Sequence, residues 1–364
     1  MKLVITGGHH SSALPIIHKI RDQKLAIDIY WIGHKHSLLG DQNDTLEYKE
    51  ITSLNIPFYD LQAGKVYKSL NLKSLLKILF SLFQSFKYLH RIKPDVILSF
   101  GGYLAVPVVV AGWVLRIPSV THEQTVVAGY ANRLISHFVK KVMISWKDSE
   151  KYFPKGKAIY TGIPLRESIF TSKSNSFSSE NNLPYVYVTA GKTGSIKINA
   201  TLMEALPQML MFCNVIHQCG DYSVYNSFDQ LTNRYDKIKN ALHGRYFIKK
   251  FIFEDEIGEV YFRASLIVGR SGAHTISEIL ALEKPALLIP ISWVSHNEQN
   301  KNALMIKNAG LAEILAEKDL TPEAFTEKIK YMLHNKNSYV SLRPDNFLDS
   351  ATLILNEVLK YAKN

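Results

Sequence analysis

The sequence predicts an α/β protein built from two Rossmann-like, doubly wound parallel-sheet domains. Short β-branched runs alternate with helical patterns along the chain, which is typical of parallel sheets covered by helices on both faces. The 364 residues are also enough for two domains that each bury a core. The expected strands are 3–6, 27–33, 95–99, 119–122, 142–145 and 158–161 in a first series, and 185–190, 215–218, 246–251, 266–268 and 286–290 in a second.

A segment rich in Ser and Asn, residues 171–182, separates the two series and is expected to be a mobile loop just after a domain boundary. We therefore expect a first domain over 1–162 and a second over 163–345. Residues 346–364 are expected to form a C-terminal helix that could pack back on the first domain. In such sheets ligands bind beyond the carboxyl ends of the strands, so we sought functional residues in the strand-end loops.

Composition and charge indicate the compartment in which the protein works and the kind of partner that it binds. The two cysteines, Cys213 and Cys219, fit a reducing compartment and are predicted to be buried structural thiols. No signal-peptide pattern follows Met1, which predicts a cytoplasmic protein. Positive charge is concentrated in residues 1–160, with 21 Lys and Arg against 11 Asp and Glu. A basic half of this kind attracts either nucleic acid or anionic lipid headgroups.

The segment 70–92, from Leu70 to Ile92, favours lipid over nucleic acid. Its leucines and phenylalanines alternate with lysines and an arginine, which predicts a strongly apolar helix with a basic flank, as in helices that lie on a membrane surface. A buried crossover helix with a solvated lysine edge would show the same pattern. Both interpretations stay open on the residues alone, and no nucleic-acid partner is predicted.

The first strand ends in a glycine-rich loop that runs from Thr6 to Ser12, and a helix is expected to begin near Ala13 or Leu14. Glycines, hydroxyls and a helix N-terminus supply N–H groups for an anion. The loop is not the GxGxxG fingerprint, and no acidic residue closes the second strand, so NAD binding is disfavoured. His9 and His10 are candidates for a base or a cationic partner, whereas the serines could simply cap the turn.

Two more loops of the first domain end apolar strands with polar residues. Because polar residues at such positions are hard to explain as core, we expect them to face the interdomain cleft. His122 and Glu123 could position a sugar or a hydroxyl there. The candidate cleft residues are Gly8, Gly101, Gly102, Tyr103, His122, Glu123, Gln124 and Thr125.

The second domain repeats this design. The small-residue loop around Gly191, Lys192 and Thr193 is a candidate anion cradle, but it lacks the spacing of a Walker P-loop. The most specific segment runs from Ser271 to Glu278. Its turn can hold a diphosphate through N–H groups, and its carboxylate could accept the two hydroxyls of a ribose. An N-capped helix with a surface glutamate is the simpler alternative.

An amide-rich stretch, residues 296–302, begins a further helix. It contains Gln299 and Asn302, and such side chains suit sugar hydroxyls because they both donate and accept hydrogen bonds. A solvated polar cap is the alternative. No Asp-x-Asp motif occurs in the sequence, so no obligatory metal and no cofactor are predicted.

Taken together, these segments resemble the MurG family of GT-B glycosyltransferases, which add N-acetylglucosamine to the lipid-linked muramyl-pentapeptide precursor of peptidoglycan. The resemblance covers nearly the whole chain. Its strongest elements are Gly101-Gly102-Tyr103, His122-Glu123-Gln124, Gly162-Ile163-Pro164-Leu165-Arg166, His217-Gln218, Arg270-Ser271-Gly272-Ala273 with Thr275 and Glu278, and Gln299 with Asn302-Ala303.

The resemblance implies a metal-independent, inverting transfer from UDP-N-acetylglucosamine to the C4 hydroxyl of undecaprenyl-pyrophosphoryl-N-acetylmuramyl-pentapeptide, which converts lipid I into lipid II. It also implies a peripheral protein on the cytoplasmic face of the membrane, bound to anionic lipid through the segment 70–92. Transfer to another lipid acceptor, sugar-nucleotide epimerisation, and nucleotide-sugar binding without turnover are the alternatives.

Site residues follow from the same resemblance. Ile252 would meet the uracil with Phe251 beside it, Glu278 would hold the ribose, and Gln299 would read the sugar. The donor residues implied or suggested by pattern are Arg166, Gly191, Lys192, Thr193, Asn199, Phe251, Ile252, Ser271, Gly272, Ala273, His274, Thr275, Glu278, Gln299 and Asn302.

The first loop departs from the family pattern. Alignment on Pro15 places Ser12 where the family has a histidine, and His9 and His10 lie upstream. These three residues are therefore the catalytic candidates. Thr125 stands where the family usually has asparagine, and the loop from Ala190 to Ser195 also differs.

Overall fold

The computed structural model describes residues 1–361 except 9, 37–43, 64–71, 173, 192–193, 222–225, 240–241, 292–296 and 343–348. The chain divides into two compact units, Met1–Leu165 with Phe347–Asn364, and Arg166–Asn346. We call them unit 1 and unit 2. The predicted site residues His9, Lys192 and Thr193 lie outside the described residues, as does Leu70.

Unit 1 contains a seven-stranded parallel sheet in the order β3-β2-β1-β4-β5-β6-β7. The strands are β1 Lys2–Thr6, β2 Asp28–Gly33, β3 Phe58–Asp60, β4 Val96–Ser99, β5 Ser119–Glu123, β6 Lys141–Ile144 and β7 Ala158–Tyr160. The helices are α1 His10–Asp22, α2 Leu46–Ser53, α3 Leu72–Ile92, α4 Ala105–Val114 and α5 Tyr130–Ile135, with a 3₁₀ turn at Lys147–Tyr152. The apolar strands β1 and β4 are central, so their carboxyl ends meet in the middle of one sheet edge.

Unit 2 contains a six-stranded parallel sheet in the order β10-β9-β8-β11-β12-β13. The strands are β8 Tyr185–Thr189, β9 Asn214–Gln218, β10 Tyr246–Lys249, β11 Ala264–Gly269, β12 Ala286–Leu288 and β13 Ala312–Ile314. The helices are α6 Ile196–Met209, α7 Ser227–Ile238, α8 Glu254–Arg263, α9 Ala273–Leu282, α10 Glu298–Asn308 and α11 Pro322–His334, with 3₁₀ turns at Glu167–Phe170, Glu317–Asp319 and Lys336–Ser338. The two doubly wound sheets are those predicted, and the edge strands β3 and β13 are additional.

The last helix, α12 Ser350–Leu359, packs on α1. Its apolar face, including Ile354 and Val358, is buried in the same cluster as Ile16 and Ile20 of α1. This burial explains why the C-terminal residues belong to unit 1 although they follow unit 2 in the chain.

The polar segment 171–182 is irregular, and it is anchored on α8. Phe177 is buried, and the Glu259 carboxylate accepts the backbone N–H groups of Ser176 and Phe177 at 2.7 and 3.1 Å. A Cβ atom on Gly258 would lie 1.8 Å from the Thr171 carbonyl oxygen, so only glycine allows this close approach. The segment was expected to be a mobile loop. The structure corrects this expectation, because a buried aromatic ring and a carboxylate hold the segment in place.

Both cysteines lie in the interior of unit 2. Cys213 and Cys219 are buried and unbridged, as predicted, and burial raises the pKa of both thiols. Among the helices of the described ranges, none is long and apolar enough to cross a bilayer.

Candidate active site

Two glycine loops touch at the carboxyl edge of the unit 1 sheet. Gly7, after β1, has a φ of 125°, and a Cβ atom there would lie 2.9 Å from the Gly101 carbonyl oxygen. The Gly8 N–H donates to that oxygen at 3.4 Å. Gly102 also has a positive φ, and a Cβ atom on it would lie 3.6 Å from the Gly8 nitrogen. The structure thus brings together the predicted residues Gly8, Gly101 and Gly102, at a contact of two loops that side chains at Gly7 and Gly101 would block.

Asn132, on α5, organises the loops beneath this contact. A Cβ atom on Gly101 would lie 2.5 Å from its Nδ2. Nδ2 donates to the His122 carbonyl oxygen at 3.2 Å and to Glu123 Oε2 at 3.0 Å, and Oδ1 accepts from the Thr121 hydroxyl at 3.0 Å. Sequence reasoning missed Asn132 because it lies in a helix and not in a strand-end motif.

His122 and Glu123 are buried inside unit 1, with exposed fractions of 1% and 4%. The Glu123 carboxylate accepts the backbone N–H and the hydroxyl of Thr125 at 3.0 and 2.6 Å, and the Gly129 N–H at 3.2 Å. His122 Nε2 lies 3.0 Å from the Gly162 carbonyl oxygen and therefore carries the hydrogen of that bond. The bonds of both side chains hold the loop in shape, and their role in positioning a sugar or a hydroxyl stays a prediction.

Ser12 is also a buried link between loops. Its hydroxyl donates to Gln124 Oε1 at 3.0 Å, and its exposed fraction is zero. The Gln124 carbonyl oxygen in turn accepts the Trp146 indole N–H at 3.1 Å. A buried hydroxyl in this position joins the β1 and β5 loops, and a catalytic role for Ser12 stays a prediction.

His10 is the first residue of α1, which therefore begins earlier than the predicted Ala13 or Leu14. Its Nε2 lies 2.7 Å from Glu50 Oε2 on α2. A carboxylate partner on one ring nitrogen fixes the orientation of an imidazole. Of the candidate bases in the first loop, His10 is the only histidine that the structure describes.

A second titratable group, which the sequence did not single out, lies at the end of β2. Glu47 is buried over Gly33, where a Cβ atom would lie 2.0 Å from Oε1, and it accepts the Trp31 indole N–H at 2.6 Å. Burial raises the pKa of Glu47 to about 7, although the indole bond lowers it. Burial and the charge of Glu47 also raise the pKa of Tyr103, whose ring lies 5.6 Å from that of His34.

In unit 2, the end of β11 leads into the N-terminus of α9. Gly272 precedes this helix, its position leaves open space for a Cβ atom, and no side chain caps the helix there among the described residues. The first N–H groups of a helix lack partners inside it and carry partial positive charge. His274 and Thr275 lie half-buried in this first turn. The geometry is that of an anion site.

Ser271 and Asn302 hold this turn against α10. The Ser271 hydroxyl donates to the Gln299 carbonyl oxygen at 2.7 Å, and the Asn302 amide donates to the Ser271 carbonyl oxygen at 2.9 Å. Gln299 Oε1 accepts the Ile291 N–H at 3.0 Å, which leaves its amide nitrogen to donate elsewhere. Asn302 and Ser271 are fully buried and support the turn through these bonds, and their contacts with the nucleotide-sugar donor stay a prediction.

Glu278 lies on the second turn of α9 and is almost fully buried. Its Oε1 lies 3.2 Å from Arg166 Nη2, and its Oε2 accepts the Tyr261 hydroxyl at 2.6 Å. Burial opposes the charge of Arg166, but the Glu278 carboxylate outweighs this effect and raises the pKa of the guanidinium. The Tyr187 ring packs edge-on against Tyr261, with 5.6 Å between centroids. Neither tyrosine was found by sequence reasoning, because both lie within regular elements.

Gln218 joins the loops after β8 and β10. Its amide donates to the Gly191 carbonyl oxygen at 3.0 Å, and its Oε1 accepts the Ile252 N–H at 3.0 Å. Gly191 has a positive φ, and its N–H donates to the Thr189 hydroxyl at 3.2 Å. Ile252 is buried and Phe251 is half-buried. The predicted residues Gly191 and Ile252 are therefore held by one shared side chain.

Asn199 is buried in a different network. Its amide donates to the Cys219 carbonyl oxygen at 2.9 Å, so its Oδ1 accepts from His217 Nε2 at 3.1 Å. Burial lowers the pKa of His217 to about 3, and the neutral ring accepts the Tyr246 hydroxyl through Nδ1 at 2.7 Å. Both polar groups of the Asn199 side chain are thus bonded inside unit 2, and its contact with the nucleotide-sugar donor stays a prediction.

Arg270 ties three strand-end segments together. It donates to the Ile289 carbonyl oxygen at 2.9 Å, to the Ser195 hydroxyl at 2.8 Å and to Glu317 Oε1 at 2.5 Å. These bonds connect the ends of β11 and β12 with the start of α6. Arg270 therefore supports the loops around the α9 turn.

Comparisons with known proteins cover both units. Residues 5–144 match the model of the glycosyltransferase family 28 N-terminal domain, and residues 185–358 match that of the C-terminal domain. The chain is 30% identical over 372 residues to UDP-N-acetylglucosamine--N-acetylmuramyl-(pentapeptide) pyrophosphoryl-undecaprenol N-acetylglucosamine transferase 3 of Bacillus thuringiensis strain Al Hakam, covering 98% of this chain and 99% of the relative. The chain belongs to the MurG family.

Other MurG-family relatives and solved structures agree. The transferase of this name from Clostridium novyi strain NT is 29% identical over 381 residues, covering 100% of this chain and 99% of the relative. The crystal structure of Acinetobacter baumannii MurG superimposes with a TM-score of 0.71 at 22% identity, over 99% of this chain and 100% of the other. UDP-GlcNAc 2-epimerase of Neisseria meningitidis, bound to UDP-GlcNAc, gives 0.65 at 16% identity, with 99% and 100% covered. These likenesses confirm the predicted GT-B fold.

As a MurG-family member, the protein is a glycosyltransferase enzyme. Within unit 2 the structure groups an open helix start, the Arg166–Glu278 pair and the Gln218-linked loops at strand ends of one sheet. Within unit 1 it groups the touching glycine loops over Asn132. Ser12, His122 and Glu123 are buried within unit 1 and Asn199 within unit 2, where each supports the loops of its own unit.

Proposed function

We propose that this protein transfers N-acetylglucosamine from UDP-N-acetylglucosamine to the C4 hydroxyl of undecaprenyl-pyrophosphoryl-N-acetylmuramyl-pentapeptide, which converts lipid I into lipid II in peptidoglycan synthesis. The observation that carries the proposal is end-to-end similarity to transferases with this donor and acceptor in their names, at 30% identity over 98% of the chain for one of them. Unit 2 supports it with a site for each part of a nucleotide diphosphate.

The donor is assigned to unit 2. The first turn of α9 supplies N–H groups and a positive dipole end for the diphosphate, and Arg166 adds a guanidinium nearby through its pairing with Glu278. Glu278 takes the ribose hydroxyls, and the segment of Phe251 and Ile252 takes the uracil. Donors placed at a leaving diphosphate stabilise the charge that develops as the sugar–phosphate bond breaks.

The acceptor is assigned to unit 1, at the touching loops of Gly8 and Gly101. The C4 hydroxyl loses its proton to an imidazole of the first loop, His9 or His10, as its oxygen forms the bond to the anomeric carbon. The bond from that carbon to the β-phosphate oxygen breaks, UDP leaves, and the configuration inverts. His10 is supported as the base by its carboxylate partner, Glu50, at 2.7 Å.

Binding to the membrane surface is assigned to α3. Four apolar side chains of this helix are at least half exposed, Leu76, Leu79, Phe80 and Phe83. Exposed apolar patches of this kind mark interaction sites, and Lys77 and Lys87 are exposed on the same helix. We assign the protein to the cytoplasmic face of the membrane as a peripheral protein, held by anionic lipid, with no nucleic-acid partner.

The test is release of UDP from UDP-N-acetylglucosamine by the purified full chain, with and without a short-chain lipid I analogue. We expect release that depends on the acceptor. Release without any acceptor would indicate hydrolysis of the donor, and UDP binding without release under both conditions would contradict the proposed transfer.

A further inference from the structure

Tyr261 is the closest hydrogen-bond partner of Glu278. Its hydroxyl lies 2.6 Å from Oε2, whereas Arg166 lies 3.2 Å from Oε1. We propose that Tyr261 is a positioning residue that fixes the Glu278 carboxylate for the ribose of the donor, and that it thereby sets the preference for a ribonucleotide over a 2′-deoxyribonucleotide. The proposal rests on the donor site proposed above.

The direction of the bond is fixed by chemistry. Burial first, and then the negative charge of Glu278, raise the pKa of Tyr261 well above its usual value, so the phenol stays protonated and donates. A carboxylate is acceptor-only, with two lone-pair sites on each oxygen. One site on Oε2 is therefore used by Tyr261, and the remaining sites can accept ribose hydroxyls.

Two partners on opposite oxygens restrict the rotation of this carboxylate. The terminal torsion of a glutamate side chain is otherwise broad, without sharp staggered wells. With Tyr261 on Oε2 and Arg166 on Oε1, the plane of the Glu278 carboxylate is defined before a ligand arrives. A carboxylate whose plane is fixed in advance suits the two vicinal hydroxyls of a ribose, because both hydroxyls must donate to it at the same time.

Tyr261 is itself held rigidly. It is 3% exposed, and the buried Tyr187 ring packs edge-on against it. The Tyr187 hydroxyl interacts with Thr189, and the hydrogen bonds that Glu278 makes among the described residues go to Tyr261 and Arg166. Tyr187→Phe therefore removes a buried hydroxyl from the same cluster without changing the partners of the carboxylate, and it is the matched control for Tyr261→Phe.

The experiment measures the dissociation constants of UDP and 2′-deoxy-UDP by titration calorimetry on the full chain. We expect the natural protein to prefer UDP by about tenfold or more, because the deleted hydroxyl removes one hydrogen bond to a buried carboxylate and leaves one of its acceptor sites unfilled. Tyr261→Phe should lose most of this preference through weaker UDP binding. Tyr187→Phe should keep it. In turnover, Tyr261→Phe should raise the donor KM much more than it lowers kcat.

A preference in Tyr261→Phe equal to that of the natural protein would overturn the inference and leave the proposed transfer intact. Absence of UDP binding to the natural protein would instead contradict the proposed function itself. If circular dichroism shows that Tyr261→Phe does not fold, the preference for UDP is measured in Glu278→Gln instead. This variant keeps the side-chain shape, and a retained preference for UDP in it would show that Glu278 does not read the ribose.

Discussion

Arg166 and Glu278 form an ion pair of 3.2 Å between the start of unit 2 and helix α9. Removing the guanidinium takes positive charge away from the proposed diphosphate site and leaves Glu278 with one partner. We expect Arg166→Ala to lower kcat/KM by about 10²- to 10³-fold, as loss of one charge-stabilising donor does in other active sites. The kcat/KM of Arg166→Lys should lie between the values of the natural protein and of Arg166→Ala, because lysine keeps the positive charge but lacks the planar guanidinium.

Steady-state kinetics with varied UDP-N-acetylglucosamine would check this prediction. Arg263→Ala is the control, since Arg263 pairs with Glu259 elsewhere in unit 2, at 2.6 Å. Equal kcat/KM in the Arg166 and Arg263 variants would contradict a role for Arg166 at the leaving group.

The base assignment predicts different behaviour for three residues of the first loop. Replacing the catalytic imidazole, His9→Ala or His10→Ala, should lower kcat by about 10²- to 10⁴-fold, the usual contribution of a general base. Ser12→Ala should mainly lower stability, by about 1 kcal/mol, because it removes one buried hydrogen bond to Gln124. Turnover and thermal unfolding of the single variants check this, and near-normal turnover in both histidine variants would refute the assignment.

The exposed face of α3 predicts a defect in membrane binding. Changing Leu79, Phe80 and Phe83 together to glutamine should weaken partition onto vesicles that contain phosphatidylglycerol by at least about tenfold, because each side chain loses burial worth on the order of 1 kcal/mol. The matched control changes Met211, Phe262 and Leu304, which are similarly exposed on unit 2. Vesicle sedimentation measures the binding of both triple variants. Equal binding of the two would contradict a role of α3 in membrane binding.

Glu47 predicts a stability that falls with rising pH. Its folded pKa, about 7, lies above the unfolded value, so its contribution is full below the unfolded pKa and is lost as pH rises through about 7. Glu47→Gln does not titrate and keeps an oxygen for the Trp31 indole. Relative to the natural protein, its free energy of unfolding should therefore rise by about 1–3 kcal/mol between pH 5 and pH 8.

Thermal unfolding of unit 1 across this pH range measures the difference. Glu150→Gln, at an exposed position of the same unit, is the control and should follow the natural protein at each pH. A pH dependence of Glu47→Gln identical to that of the natural protein would contradict a buried, titrating carboxyl.

The fold was accessible from sequence because apolar strands and helical patterns alternate without long interruptions. The missed strands, Phe58–Asp60 and Ala312–Ile314, are three-residue edges whose pairing depends on a neighbour and not on a local pattern. Loop positions were also accessible, since glycines such as Gly101 adopt a positive φ that few other residues tolerate.

The direction in which polar side chains point was not accessible from sequence. Ser12, Glu123 and Asn199 lie in or beside site loops, yet each is buried and bonded within its own unit. Conversely, Tyr261 and Asn132 shape the sites from helices, where no short motif marks them. Hydrogen bonds between residues that are distant in the chain decide which polar side chains are buried and which helix residues shape a site. The spacing of residues along the sequence does not encode these bonds.

The most direct test of the proposed transfer identifies its product. The full chain is incubated with UDP-N-acetylglucosamine and a lipid I analogue in the presence of a chelator, and the lipid fraction is analysed by mass spectrometry. Because helix α9 and Arg166 are assigned to hold the diphosphate, we expect one added N-acetylhexosamine per acceptor, in an amount equal to the UDP released, with no added metal. UDP release without a glycosylated lipid, or an acceptor left unchanged while UDP binds, would contradict the account.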